Sequence, residues 1–257
     1  MKLKIGWRGL PCLVCAFVLL TGFGAPIKHD RAYYEAREEI VWEVPMDEKL
    51  IALTFDDGPN AKTTPQILDL LKEYEAKSTF FVVGNRLERF ADIVKREADE
   101  GHEVANHTYN HKFFTGNVSR GVIANEIVHT KEKIMAITGK DCPWFRPPGG
   151  IFNDTVVESA RQNGYTIVLW SWHQDTKDWR SPGVQAIANK VLRNARNGDI
   201  VLLHDNIQGS TQTVEALRII LPELKKRGYR IVTVSELMEH KKIRGIKPLI
   251  KEQSDQE

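Results

Sequence analysis

Seven short apolar runs, at 50–55, 78–83, 103–105, 144–145, 166–170, 200–203 and 230–232, alternate with segments of helical spacing. That alternation constrains the fold more than any other feature, because it predicts a parallel sheet covered by helices. One helical segment carries Ile67, Leu70, Leu71 and Tyr74, a second Phe90, Ile93, Val94 and Ala98, and a third Ile123, Ile127, Met135 and Ile137. Further helices are expected over 154–162, 184–196 and 213–226. Gly101, Gly164, Gly198 and Gly228 follow helical segments, where a residue tolerant of positive φ ends a helix at little cost. About seven strands in one domain suit a closed or nearly closed barrel or a doubly wound sheet, and periodicity alone does not separate them.

In either architecture chemistry collects at the C-terminal ends of the strands. The polar clusters obey that rule. Asp56 and Asp57 follow the first run, His107 the third, Arg146 the fourth, Asp175 the fifth and His204 the sixth. Adjacent aspartates before Gly58-Pro59 could make a simple turn, but here an apolar strand runs directly into them. Two neighbouring like charges need compensation. A cation bound by one would supply it and leave the other ionised as a general base.

His107 and His111 are four residues apart, the spacing that puts two side chains on one face of a helical turn. A bare His-x-x-x-His match is weak, and such histidines are often surface or cap residues. Sharing a strand-end rim with two aspartates makes them candidate ligands of a catalytic zinc, with an aspartate as third ligand and one position open. Manganese or cobalt would suit the same donors. Arg146-Pro147-Pro148-Gly149-Gly150 reads as a rigid extended loop whose glycines let backbone N–H groups approach a ligand. His204 just past a buried strand is a candidate proton donor. Asp175, Asp178 and Trp179 add carboxylates and an aromatic suited to stacking on a glycan, while Trp170 and Trp172 could serve packing. These groups point to metal-assisted hydrolysis rather than to a binding module, which has no use for both a base and an acid.

The ends of the chain read differently. Lys2, Lys4 and Arg8 precede an apolar stretch at 10–20, followed by Gly22, Gly24 and Ala25. This is the order of a secretory signal, and the stretch is short of the roughly 20 residues of a full membrane span. Residues 1–26 are therefore expected to be a signal peptide or membrane anchor, which would place the catalytic part outside the cell as a secreted, wall-associated or anchored protein. Residues 27–47 read as a linker or lead-in, 48–240 as the catalytic domain and 241–257 as a charged tail. Cys12 and Cys15 lie inside the leading segment, so its removal leaves Cys142 alone and the fold independent of an internal disulfide. With 36 basic against 34 acidic residues in a 257-residue chain, the net charge of +2 gives no field for nucleic acid.

Taken together, these motifs resemble the polysaccharide deacetylase family, also called the NodB-homology domain or carbohydrate esterase family four, over about residues 48–240. Thr54-Phe55-Asp56-Asp57-Gly58-Pro59 and His107-Thr108-Tyr109-Asn110-His111 match its first two motifs, and all five occur in the family's order. The resemblance implies an α/β fold, a distorted (β/α) barrel with about seven parallel strands. It implies that Asp56 is the catalytic base, that Asp57, His107 and His111 hold zinc or a similar divalent ion, and that His204 is the general acid with Asp205 beside it. Arg146 would hold the base and be paired with an aspartate of the fourth motif, Asp178 before Asp175. Trp179 and Leu202 would wall an acetyl-methyl pocket, and the Gly149 N–H would meet the oxyanion. One departure stands out: the third motif usually has an aromatic residue where this chain has Gly149, so a side chain near the sugar is lost. The implied activity is removal of N-acetyl groups from a cell-wall glycan, with N-acetylglucosamine of peptidoglycan favoured. Chitin oligomers, N-acetylmuramic acid or an O-acetyl xylan ester are the competitors, and an inactive glycan-binding domain the most distant.

Overall fold

A computed structural model of the protein describes residues 29–241. The expected signal or anchor at 1–26 and all but the first residue of the expected tail lie outside the described residues.

The described residues form eight strands: β1 Ile40–Val41, β2 Leu50–Asp56, β3 Thr79–Val82, β4 Glu103–Asn106, β5 Trp144–Phe145, β6 Thr166–Val168, β7 Asp199–His204 and β8 Arg230–Ile231. The helices between and around them include α1 Arg31–Ala36, α2 Thr63–Glu73, α3 Ala91–Asp99, α4 Arg120–Thr138, α5 Asp154–Gln162, α6 Val184–Asn194 and α7 Gln212–Lys226, and residues 234–241 are helical too. All strand pairings are parallel, in the order β1-β6-β5-β4-β3-β2-β7, with β8 beside the base of β2. The sheet curls without closing. Its far edges approach through the Val44 N–H to Gly198 O bond (2.9 Å), the Ser171 N–H to Ile200 O bond (3.0 Å) and isolated bridges of Glu43 and Asp175 to β7. A half-barrel of this kind is the distorted (β/α) barrel expected.

The seven anticipated strands all appear, shifted by at most two residues at their ends. Gly101, Gly164 and Gly228 take φ of 81 to 83°, as their helix-ending positions require, whereas Gly198, at 84°, lies three residues past the Ala195 cap of α6, in the turn into β7. Elements not foreseen include α1 and β1, which lie in the stretch read as linker or lead-in, and a helix that begins at Val234; β1 pairs with β6 through Ile40–Ile167 and Val41–Val168. Met135, assigned to the apolar face of α4, is 40% exposed.

Strand parity positions the site. Along β2, which is buried throughout, Ile51, Leu53 and Phe55 face outward into a core shared with Ile67, Leu71, Val191 and Leu217 of the helices. Truncating Phe55 to alanine there is expected to cost about 3–5 kcal/mol. Leu50 and Ala52 face inward with Phe81, Ala105 and Ile200. Thr54 and Asp56 continue that inward face, so the period of two delivers a carboxylate into the mouth of the half-barrel. The same parity on β7 turns Leu202 and His204 inward while Val201 and Leu203 join the outer core.

Candidate metal centre and active-site cleft

Asp56 is 3% exposed, and its Oδ1 accepts a hydrogen bond from Arg146 Nη1 at 2.6 Å. The guanidinium is completely buried and held in one pose. Nε donates to Val168 O (2.9 Å), Nη2 to Leu169 O (2.8 Å) and Nη1 also to Thr54 Oγ1 (2.8 Å), with the Phe81 ring 4.0 Å away. This corrects one expectation. Arg146 does not pair with Asp178 or Asp175; among the described residues its carboxylate partner is Asp56 itself. Carbonyls at the end of β6 take the donors that a second carboxylate would have taken.

Asp178 serves the opposite wall. Buried completely, it accepts from His204 Nδ1 at 2.7 Å, from the His204 backbone N–H at 2.8 Å and from Thr213 Oγ1 at 2.8 Å. A histidine whose Nδ1–H is so held presents Nε2 to the cleft. Burial acts against a charge on His204, but Asp178, aided by Asp56 and Asp57, pushes its pKa up to about 9. The imidazole is therefore protonated at neutral pH. Asp205 turns away from its neighbour: its carboxyl bonds the Thr64 hydroxyl beneath the Gly58 turn, where a Cβ on Gly58 would overlap it. Burial pushes the Asp205 pKa up to about 7.

Between these walls Asp57, His107 and His111 bring one donor atom each within 4.8 Å of one another. His107 Nδ1 lies 2.7 Å from Arg146 O, which can only accept, so the proton sits on Nδ1 and the Nε2 lone pair is free. Nε2 of His107 and of His111 lie 3.4 and 2.9 Å from Asp57 Oδ1. That oxygen is buried yet accepts no hydrogen bond of proper geometry. Three lone-pair donors converging on one point, with an orphaned buried oxygen among them, fit a divalent cation. A second grouping, Glu43, His173 and Asp199, is equally compact. Its members, however, are engaged by Arg31, by each other, and by Gln174 and the Arg196 N–H.

The helical turn expected for His107 and His111 is absent. The segment is an irregular loop in which Thr108 and His111 take φ of 67 and 54°, and Asp57 takes 75°. Positive φ in residues with a Cβ is unfavourable, and three such residues at one centre indicate that ligand placement overrides local preference.

A cleft of about 380 Å³ opens over this centre. Asp56, Asp57, His107, His111, Gly149, Trp179, Leu202 and His204 all line it. Arg146 and Asp178 lie behind Asp56 and His204. Trp179, half exposed, carries the Arg180 guanidinium over its ring at 4.5 Å. Leu202 is 4% exposed and floors the cleft. Trp172, at 71% exposure, is not a packing residue.

Phe113 and Trp170 also line the cleft, and sequence reasoning missed Phe113. A Cβ built on Gly149 would fall 2.8 Å from Phe113 Cε1. The ring also packs edge-on against His111, with centroids 5.2 Å apart. The aromatic missing from the third motif is thus replaced in space by one arriving from the loop of the second. The only signal in the sequence was an aromatic two residues past a candidate ligand.

A family model described as Polysaccharide deacetylase matches residues 43–168. A Bacillus cereus protein named peptidoglycan-N-acetylglucosamine deacetylase is 53% identical over 202 residues, covering 79% of this chain and 94% of its own length. A chitooligosaccharide deacetylase of Rhizobium leguminosarum bv. trifolii is 39% identical over 211 residues, covering 76% of this chain and 97% of its own. Among solved structures, the Bc1960 peptidoglycan N-acetylglucosamine deacetylase matches with a TM-score of 0.75 at 36% identity, covering 80% of this chain and 95% of that one.

Proposed function

This chain belongs to the polysaccharide deacetylase family, and from that premise we propose that it hydrolyses the N-acetyl group of N-acetylglucosamine in peptidoglycan, releasing acetate and a free amine. The observation that carries the reading is the pairing of opposed groups across one cleft. A buried carboxylate fixed by Arg146 faces an imidazolium fixed by Asp178, with a three-donor metal centre between them. We assign zinc to Asp57, His107 and His111, with cobalt or manganese as alternatives. When bound, the ion supplies Lewis acidity that polarises the acetamide carbonyl and acidifies a water.

The chain's own groups carry the proton transfers. Arg146 occupies Oδ1 of Asp56, which leaves Oδ2, 3.8 Å from His107 Nε2, to take a proton from the attacking water. The water oxygen bonds to the carbonyl carbon. The C–N bond then breaks as His204 Nε2 gives its proton to the departing nitrogen. The Gly149 N–H is assigned to the developing oxyanion, and Trp179 and Leu202 to the acetyl methyl. Phe113 supplies the aromatic wall beside the sugar.

The family members named above act on glycans of two kinds, and a chitin oligomer is the near competitor as substrate. Export supports a wall substrate: the charged and apolar order of residues 1–26 is that of a signal or anchor, leaving the protein secreted, wall-associated or membrane-attached. No helix among the described residues is long and apolar enough to cross a membrane. The deciding experiment is mass spectrometry of muropeptides and chitin oligomers after incubation with zinc-loaded protein. Loss of one acetyl mass from the N-acetylglucosamine of muropeptides is expected. Intact acetylation of both substrates would overturn the reading.

A further inference from the structure

His107 and His111 are held in different ways. The His107 ring is buried, and its Nδ1–H is taken by Arg146 O. The His111 side chain is 32% exposed, and among the described residues its Nδ1 meets no hydrogen-bond partner. The aim of that imidazole therefore depends on the backbone beneath it, which stands at a φ of 54°. A residue with a Cβ keeps such a φ only where its surroundings impose it.

The loop is tied down along its length. Gly84 and Asn85 donate their N–H groups to Thr108 O (3.0 Å) and Tyr109 O (2.9 Å), and Asn106 Oδ1 accepts from the Thr108 N–H (3.0 Å). The last residue before the ligand, Asn110, is gripped from α4. Its N–H donates to Glu126 Oε2 at 2.7 Å and its Nδ2 to Glu126 Oε1 at 2.9 Å. Main chain and side chain of Asn110 are thus anchored together, one residue ahead of His111.

Glu126 lies on the inner face of α4 with Ile123, Ile127 and Thr130, is 8% exposed, and has no cation paired with it among the described residues. Burying a carboxyl is costly unless its oxygens are hydrogen-bonded, and Asn110 occupies both. Packing of α4 alone does not call for a carboxyl at this point, since an apolar residue of similar shape would serve it.

We propose that Glu126 is a positioning residue for the metal centre: through Asn110 it holds the His111 imidazole where a divalent ion meets it together with Asp57 and His107. The inference rests on the reading of those three residues as metal ligands and needs no assumption about the glycan.

The test measures zinc affinity of the full chain by competition with a chelator, and the visible spectrum of the cobalt-loaded protein. Glu126→Gln turns one acceptor into a donor facing the Asn110 amide, so zinc affinity is expected to fall about 10- to 100-fold, with an altered cobalt spectrum. The paired variant Glu126→Gln/Asn110→Asp exchanges donor and acceptor between the two side chains and keeps the backbone bond. Its affinity and spectrum are expected to return to those of the wild type. Asn110→Ala, at an exposed position, removes one bond without a change of charge and should weaken zinc less, by about three- to tenfold. Unchanged zinc affinity in Asn110→Ala would mean that Glu126 acts by charge alone, and a paired variant as weak as Glu126→Gln would mean that the hydrogen bonds do not matter; either overturns the proposal. Thermal unfolding of the metal-free proteins is read alongside. A lower Tm with undiminished zinc affinity would reduce Glu126 to a folding role and overturn it too. If Glu126→Gln does not fold, Asn110→Ala decides. Tight zinc binding by the wild type without acetate release from muropeptides would count against the deacetylase reading alone, while the affinities still decide the role of Glu126.

Discussion

Asp178 grips His204 at two points, taking its Nδ1–H at 2.7 Å and its backbone N–H at 2.8 Å, so ring and main chain are fixed by one buried carboxylate. The fourth motif is thereby tied to the fifth, whereas the third, through Arg146, is tied to the first. His204 and Asp56, the proposed acid and base, each have their own partner.

That division sets the pH dependence. His204, raised to about 9, is protonated at neutral pH, so kcat/KM should hold through neutrality and fall above about pH 9 as the proton donor is lost. In Asp178→Asn the upward push is removed and burial remains, so the alkaline limb should move toward neutral pH. A folded-state pKa above the ordinary histidine value of about 6.5 also stabilises the fold. That contribution is complete below about 6.5 and disappears as pH rises through about 9. A pH–rate profile of both proteins reads the limb, and an unmoved limb in the variant would contradict the assignment.

Asp56→Asn should lower acetate release by about 10²- to 10⁴-fold, the usual contribution of a general base. Binding of zinc should be retained, because Asp57, His107 and His111 are untouched. Direct metal analysis of the purified variant, alongside its turnover, separates the two effects.

Arg146→Met leaves Asp56 buried without its cation, and destabilisation of about 3–5 kcal/mol is expected. Combining it with Asp56→Asn should recover much of that loss, since the stranded charge is gone. Urea unfolding of the two single variants and the double variant measures the recovery.

Metal should stabilise the native state as any native-state ligand does, by about 2.7 kcal/mol at a hundredfold excess over Kd. Thermal unfolding with and without zinc should show a rise in Tm for the wild type and none for His107→Ala. Chelation should abolish acetate release, and zinc, cobalt or manganese should restore it to differing extents.

Phe113 and Gly149 should behave as a coupled pair, given the 2.8 Å approach of a Gly149 Cβ to the Phe113 ring. Gly149→Tyr should reduce kcat/KM more in the wild type than in Phe113→Ala, with a coupling of about 0.5–3 kcal/mol. The left-handed φ of 65° at Gly149 adds a strain that both backgrounds share. A double-mutant cycle on a chitin oligomer returns the coupling, and additivity would remove Phe113 from the wall.

Much of the molecule was legible in the order of its residues. Runs long enough to show their period, such as 50–55 and 200–203, announced strands, and Gly101 or Gly228 announced where helices stop. Asp56, Asp57, His107, His111 and His204 were legible because strand-end chemistry depends on local position, and a parallel sheet gathers strand ends at one rim. Tertiary structure alone decided what depends on distance through space. It gave Arg146 to Asp56 and Asp178 to His204, because the carbonyls of Val168 and Leu169 claim the rest of the guanidinium. It replaced the expected helical turn at 107–111 with a loop of positive φ, and it brought Phe113 into the space above Gly149. Periodicity records which face a residue occupies; it holds no record of which partner the chain's return will place opposite that face.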